Sequence, residues 1–454
     1  MTVTASGVTA RHDTEAGVPP VRTGLGARAL VLLVLAALVV RVVYCLLVLR
    51  HYTPMSDASD YYKIAVSVSQ GHGISTTFPY GYEHATAFRP PLFPALLGAV
   101  FWVSGPSLGV AQAVNVTLGC AVVALLAVLT TRFAGRRAGL IAGGLAAVYP
   151  PLLANDGPPL TESLALTLLL AGLLALGKRR VLVAGIAVGL LVLTRPSAQL
   201  LVPVIGLWLL LTVGWRRTAV FAVVVGVIVL PWVARNEVVF GKPVLVTSNG
   251  FNLSAAWSDI ALAQDKPADP VFDPRFAFLH TGSALHNEAD LDAKFRAEGI
   301  RGLRTHVDEI PSVLWRNTRL LLDLHVGREN GAERYDGRNL TLRHDALPAV
   351  WAVMLLGVVG LVRLRRNRDG VLLLLYGGYF LLVSIAAVSP PRLRAPLDVL
   401  FLLGTATVIA GLLDRRAARR RLAAVEGPPS DAPSSEAAEP GSRGAVHSSF
   451  GVEG

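Results

Sequence analysis

Two aspartates, Asp57 and Asp60, open the stretch SDASDYYKIAVSVSQGHG, Ser56 to Gly73. It directly follows an apolar run long enough to span a bilayer. Asp57, Tyr61 and Ala65 stand at i, i+4 and i+8, so they share one face of a helix, while Asp60 points elsewhere. A carboxylate held at the membrane edge can take a proton from an acceptor hydroxyl. Arg89, in AFRPPLFP, can hold an anion, because a guanidinium grips phosphate through two parallel N–H bonds. Together they point to transfer from a lipid phosphate to an acceptor beyond the membrane. Asp57 equally suits the N-cap of a helix beginning near Ala58, and Arg89 equally suits an anchor to lipid headgroups.

The elements that must position these residues are membrane helices. Of 454 residues, 53% are hydrophobic and 16% charged, against roughly 25% charged in a soluble domain. Apolar blocks recur from Ala29 to Leu413, which defines an all-α polytopic membrane protein. The net charge of +11 would suit a nucleic-acid partner, but its placement argues otherwise. Basic clusters (Arg132, Arg136 and Arg137; Lys178 to Arg180; Arg216 and Arg217; Arg363 to Arg368; Arg415 to Arg421) fall at alternate ends of successive apolar segments. That is the positive-inside pattern, so the charge sets topology, and no nucleic acid is implied. Cys45 and Cys120 lie inside apolar runs and read as core residues. No Cys/His group has zinc-like spacing, and His72 and His84 lack ligand spacing. No metal site is implied, although the acidic residues would permit a divalent cation.

With every basic cluster in the cytoplasm, ten spans result, near 29–49, 107–131, 138–153, 160–177, 181–195, 198–213, 218–234, 347–362, 370–388 and 395–413. Both termini are then cytoplasmic in a multi-pass protein of the cytoplasmic membrane. Several spans are shorter than the ~20 residues a straight crossing needs. The expected organisation is a disordered N-terminus, 1–27, and a membrane domain, 28–234, carrying an external catalytic loop, 51–105. An external cap, 235–346, the last three spans, 347–413, and a basic then disordered tail, 414–454, follow. Within the loop, PPLFPALLGAVFWVSG is too short for a span and suits an interfacial helix.

The order and wording of five segments resemble the GT-C class of polyprenyl-phosphate-sugar-dependent glycosyltransferases. Within that class the chain is similar to the protein O-mannosyltransferase and lipid A aminoarabinose transferase family. The segments are SDASDYYKIAVSVSQGHG, FRPPLFPALLGAVF, RFAGRRAGLIAGGLAAVYPPLLANDGPPLTESLALTLLLAGLLAL, AGIAVGLLVLTRPSAQLLVPV and KPVLVTSNGFNLSAAW, within residues 28 to 410. The resemblance implies a GT-C-like helix bundle with its active-site cavity at the outer face. It implies that Asp57 is the catalytic base and that Arg89 contacts the carrier phosphate. It also implies that Glu162, in PPLTESL, lines the cavity, although a glutamate is favourable in any first turn. The sequence departs from the family in having Ala58 where a second acid is frequent. Asp60 stands where the aminoarabinose transferase carries a basic residue.

Other candidates come from charge placement. Arg195 in LTRPSAQ and Arg392 and Arg394 in PPRLRAPLD break the positive-inside bias. A carrier phosphate would answer them, as would headgroups or Asp398. Asp156 is a loop carboxylate near the same face. Arg41, inside the first span, is explained by snorkelling outward. Asn249, Gly250 and Asn252 suit a plain turn or a loop over the cavity.

The reading is an inverting membrane glycosyltransferase with an extracytoplasmic active site. Its donor would be a polyprenyl-phosphate sugar, and its acceptor a protein, glycan or glycolipid hydroxyl. Arg89 would hold the phosphate with help from Arg392 or Arg394, and Asp60, Tyr61, Asp156, Glu162, Arg195 and Asn249 would line the cavity. A transporter or carrier flippase fits ten spans equally well, but would place ionisable groups at mid-membrane or show repeats. A non-catalytic envelope assembly protein keeping the GT-C-like fold is the third reading.

Overall fold

A computed structural model describes residues 24–426 apart from 78–80, 265–266, 270–275, 277–286, 325–335, 367 and 387–389. The expected disordered segments before residue 24 and after 426 lie outside the described residues. The protein is helical, with one two-stranded hairpin among the described residues, β1 (Ser75–Thr76) against β2 (His84–Ala85).

Helix α1 (Ala27–Leu47) buries only Ala37, Arg41 and Tyr44, and most of its leucines and valines are exposed. Such a helix suits lipid rather than water. Helix α2 (Ser56–Ser69) buries Ala58, Tyr61, Ile64 and Ala65, a stripe at helical spacing. This stripe packs on α3 (Leu92–Ser104), with the Tyr61 ring edge-on to Phe93 at 5.6 Å. Gly98 permits that approach, since a Cβ there would stand 2.6 Å from Val68 Cβ. The segment expected to be interfacial is thus α3, which leaves Trp102 and Val103 exposed at its far end.

The expected spans 107–131 and 138–153 lie in one helical stretch, α4 (Leu108–Val148), interrupted at Gly135. There φ is 82°, a conformation that costs glycine little. Gly139 lies against Ala127 and Thr131, and Gly143 against Ala127, so the two halves fold back on one another. The chain continues through α5 (Pro150–Asp156), α6 (Glu162–Gly177), α7 (Val181–Thr194), a 3₁₀ turn at Pro196–Ala198, α8 (Leu201–Val213) and α9 (Trp215–Phe240).

Among the described residues, four α-helices follow in the expected cap: α10 (Asn249–Trp257), α11 (Asp259–Ala263), α12 (Glu288–Thr305) and α13 (Ile310–Leu321). Helices α10 and α12 meet backbone to backbone. A Cβ on Gly250 would lie 2.0 Å from the Asp292 carbonyl oxygen, and one on Gly302 would lie 1.9 Å from that of Trp257. Asn249 and Gly250 therefore begin a helix rather than forming a plain turn, and Gly250 is needed for close approach.

The remaining helices are α14 (Leu340–Leu364), α15 (Arg368–Ala386) and, after a 3₁₀ turn at Pro391–Arg394, α16 (Ala395–Glu426). Gly360 of α14 crosses Gly404 of α16 so closely that a Cβ would sit 2.0 Å from the Gly404 carbonyl oxygen. Small residues at such crossings are how membrane helices gain contact without a hydrophobic drive. Gly411–Gly454 forms a separate unit.

Among the described residues, seven helical stretches are long and apolar enough to cross a membrane, and α3, α6 and α7 are shorter apolar helices. The protein is a multi-pass membrane protein.

Candidate active site

Asp57 lies in the first turn of α2. The N-cap is Met55, and no side chain caps the helix, so the capping role weighed for Asp57 does not hold. Ser56, just before it, has φ 50°, a conformation seldom taken by non-glycine residues. The Asp57 carboxylate is claimed instead by two arginines. Arg89 Nη2 donates to Oδ1 at 2.5 Å, and Arg392 Nη2 donates to Oδ2.

Each arginine has a second carboxylate. Arg89 donates from Nε (3.1 Å) and Nη2 (2.7 Å) to Asp60 Oδ2, so Asp60 turns away from the shared face of α2 to hold Arg89 from the other side. Arg392 donates from Nη1 to Asp336 Oδ1 at 3.0 Å. Its Nε is buried with no hydrogen-bond partner among the described residues, 3.9 Å from Glu162 Oε1. Glu162, in the first turn of α6, also pairs with Arg195 at 3.6 Å, and its Oε2 has no hydrogen-bond partner among the described residues. The linked cluster holds three cations (Arg89, Arg195, Arg392) and four carboxylates (Asp57, Asp60, Glu162, Asp336).

Five of these seven residues, all but Asp60 and Asp336, border a cavity of about 380 Å³. Asp57, Tyr61, Arg89, Glu162, Arg195 and Arg392 line it on its polar side, with Asn249 at the mouth of α10. Leu200, Leu253, Phe380, Val383 and Leu393 supply an apolar wall. A lining that combines cations with apolar side chains is what an amphiphile with an anionic head requires.

The charges set the proton affinities. Burial pushes the Asp57 carboxyl up, but Arg89 and Arg392 outweigh it and hold the group well below the usual carboxylate range. Asp60 is raised by burial, which Arg89 only partly offsets. Asp336 is pushed up by burial to about 6, against the pull of Arg392 and Arg338.

Three sequence candidates do not line the cavity: Asp60, which is bonded to Arg89, and Arg394 and Asp156, which lie elsewhere. Arg394 is fully buried, donating to Asp398 (2.9 Å), to Asp323 (2.9 Å) and to the Leu321 carbonyl (2.8 Å), and does not line the cavity. Asp156 is buried too, accepting from Arg41 Nε at 2.7 Å and Ser163 Oγ at 2.6 Å. Arg41 therefore does not snorkel: only 1% of its side chain is exposed, and it is spent on this internal pair. Among the described residues, no group of three or more His, Cys, Asp and Glu side chains is placed to hold a metal ion.

Sequence reasoning missed Asp336. It sits in a turn before α14, where Gly337 (φ 73°) presses so close to Tyr52 and Pro158 that a Cβ would lie 2.9 Å from each. The Asp-Gly pair marked a turn, but nothing local said that the turn docks beside Asp57. Gln199, Ser248 and Ser384, which also line the cavity, carried no sequence signal.

No protein-family profile matches the chain, and no curated protein matches it. Solved structures do resemble it. The apo oligosaccharyltransferase of Archaeoglobus fulgidus shares 15% identity over 88% of this chain and 52% of its own, with a TM-score of 0.51. The same enzyme tethered to an acceptor peptide containing the NVT sequon matches with a TM-score of 0.50 and 15% identity, over 88% of this chain and 51% of its own. ArnT from Cupriavidus metallidurans bound to undecaprenyl phosphate shares 18% identity over 83% of this chain and 77% of its own, at a TM-score of 0.36. The chain thus spans about half the length of the archaeal enzyme. The fold is GT-C-like.

Proposed function

We propose that the protein is a membrane glycosyltransferase that moves a sugar from a polyprenyl-phosphate donor to an acceptor hydroxyl, with inversion. The observation that carries this reading is the Asp57 carboxylate, set between Arg89 and Arg392 at a cavity whose other wall is apolar. The GT-C-like fold supports the reading as an analogy of scaffold.

In this reading the sugar and its phosphate lie at the polar wall, and the polyprenyl chain runs along the apolar one. Asp57 takes the proton of the acceptor hydroxyl as its oxygen attacks the anomeric carbon from the face opposite phosphate. The new carbon–oxygen bond forms as the anomeric carbon–phosphate oxygen bond breaks, and the electron pair leaves with the lipid phosphate. Guanidinium contacts neutralise that leaving group, so no general acid is needed. Positioning and charge stabilisation carry most of the acceleration.

In this reading both termini are cytoplasmic and the site opens on the outer face of the cytoplasmic membrane, which the alternating basic clusters support. The cap helices α10 to α13 would select the acceptor, whether protein, glycan or glycolipid.

The test is transfer of labelled sugar from polyprenyl-phosphate donors into a membrane extract, comparing wild type with Asp57→Asn. Transfer by wild type alone supports the reading. Equal transfer by both removes Asp57 from the chemistry, and absence of transfer with every donor sinks the glycosyltransferase.

A further inference from the structure

A guanidinium binds phosphate side-on through two neighbouring N–H groups. On Arg89 the Nε–Nη2 edge is covered by Asp60, with Asp57 sharing Nη2. On Arg392 the same edge is arranged differently. Nη1 on the far side is fixed by Asp336, Nη2 is taken by Asp57, and Nε is buried, facing Glu162 Oε1 at 3.9 Å but making no hydrogen bond among the described residues. One oxygen of Asp57 therefore occupies half of a site that a phosphate would fill completely.

We propose that the donor's phosphate and Asp57 compete for the Nε–Nη2 edge of Arg392 and for Arg89 Nη2. Donor binding thereby frees the Asp57 carboxylate, while Asp60 and Asp336 hold the two arginines aimed into the cavity through the exchange. This rests on the polyprenyl-phosphate reading above. Asp60 and Asp336 are positioning residues in this scheme, and Arg392 rather than Arg89 is the main phosphate seat.

The exchange resolves a chemical conflict in the resting site. A carboxylate gripped by two guanidiniums is a weak base, because the same charges that keep it ionised lower its proton affinity. Once phosphate takes those N–H groups, the hydrogen bonds to Asp57 are lost and the negative charge of the phosphate offsets the guanidiniums, and both changes raise that affinity. The base becomes effective only when a donor is present.

Electrostatics alone would also favour phosphate if any one carboxylate of the cluster were neutralised. The discriminating comparison is therefore Asp57→Asn against Asp336→Asn. Each removes one negative charge bonded to Arg392, but only Asp57 occupies the phosphate edge.

The experiment measures binding of a sugar-free polyprenyl phosphate to the full chain in lipid nanodiscs. Asp57→Asn is expected to tighten binding by at least about tenfold, the size of one charge-assisted hydrogen bond. Asp336→Asn is expected to leave it unchanged or weaken it, with Asp336→Glu restoring the wild-type value, and Arg392→Lys to weaken it. Should Asp57→Asn fail to assemble by thermal melting, Asp57→Ser takes its place in the same assay. If wild type binds but the two asparagine variants tighten equally, or neither does, the exchange is overturned while the glycosyltransferase reading stands. If no form of the protein binds polyprenyl phosphate, the donor class itself is wrong.

Discussion

Arg392 and Asp57 are hydrogen-bonded although 335 residues separate them in the chain. One comes from the turn before the last helix, the other from the first turn of α2. The contact ties the two ends of the membrane bundle together at the cavity wall, and three further carboxylates and two arginines extend it. Clusters of this kind are expensive to bury unless their charges are matched, so their retention at a cavity argues for use.

Asp57→Asn preserves the shape of the side chain and its hydrogen bonds from both arginines in part, but removes the proton acceptor. General-base catalysis contributes about 10²–10⁴-fold, so sugar transfer should fall by that order while the protein still melts as a folded species. A variant that keeps more than half of wild-type turnover would exclude Asp57 as the base.

Arg89→Lys keeps the charge and loses the fork. The guanidinium reaches Asp57 and Asp60 at once and lies 4.8 Å from the Phe88 ring centre, a geometry an ammonium cannot reproduce. Losing the fork's contacts to the phosphate should lower kcat/KM for the donor by roughly 10–100-fold, the value of one or two charge-assisted hydrogen bonds. Steady-state kinetics at saturating acceptor gives the number, and an unchanged kcat/KM would assign Arg89 to lipid anchoring.

The pH dependence follows from Asp336. Burial raises its carboxyl to about 6, with Asp57 and Glu162 adding to the rise and Arg392 and Arg338 opposing it. Below that value the group is neutral and its grip on Arg392 weakens; above it the ion pair is complete. Donor kcat/KM should therefore climb as pH rises through about 6, and Asp336→Asn should be low and flat across that range. A wild-type profile that is level from pH 5 to 8 would show that Asp336 does not orient Arg392.

The helices and the charge pattern were legible because they depend on local composition. Runs of leucine and valine mark spans, and α3 was separated from them by length. Asp57 and Arg89 could be paired as candidates because both stand in one expected loop, 51–105. What the sequence withheld is what distant segments decide. Arg392 and Arg394 look alike in PPRLRAPLD, yet the 3₁₀ turn sends one to the cavity and the other into a buried cluster with Asp323 and Asp398. Asp336 stays hidden for the same reason: its partner lies beyond α14 and α15. Arg41 was misjudged because hydropathy reveals the expense of a charge in a span but not the carboxylate that meets it.

That carboxylate supports the last prediction. Asp156 joins four helices: it ends α5, binds Arg41 of α1 and Ser163 of α6, and lies so close to Gly119 of α4 that a Cβ there would stand 2.3 Å from its carboxylate. The Arg41 and Asp156 side chains are 1% and 5% exposed. Removing one partner strands a buried charge, at a cost of about 3–5 kcal/mol, whereas replacing both with apolar groups of similar volume is often close to neutral. Asp156→Ala should therefore lower the unfolding midpoint sharply, and Arg41→Met combined with Asp156→Leu should recover most of the loss. Because Asp156 does not line the cavity, turnover per folded molecule should stay near wild type in the double variant. A double variant that folds well but no longer transfers sugar would return Asp156 to the catalytic machinery.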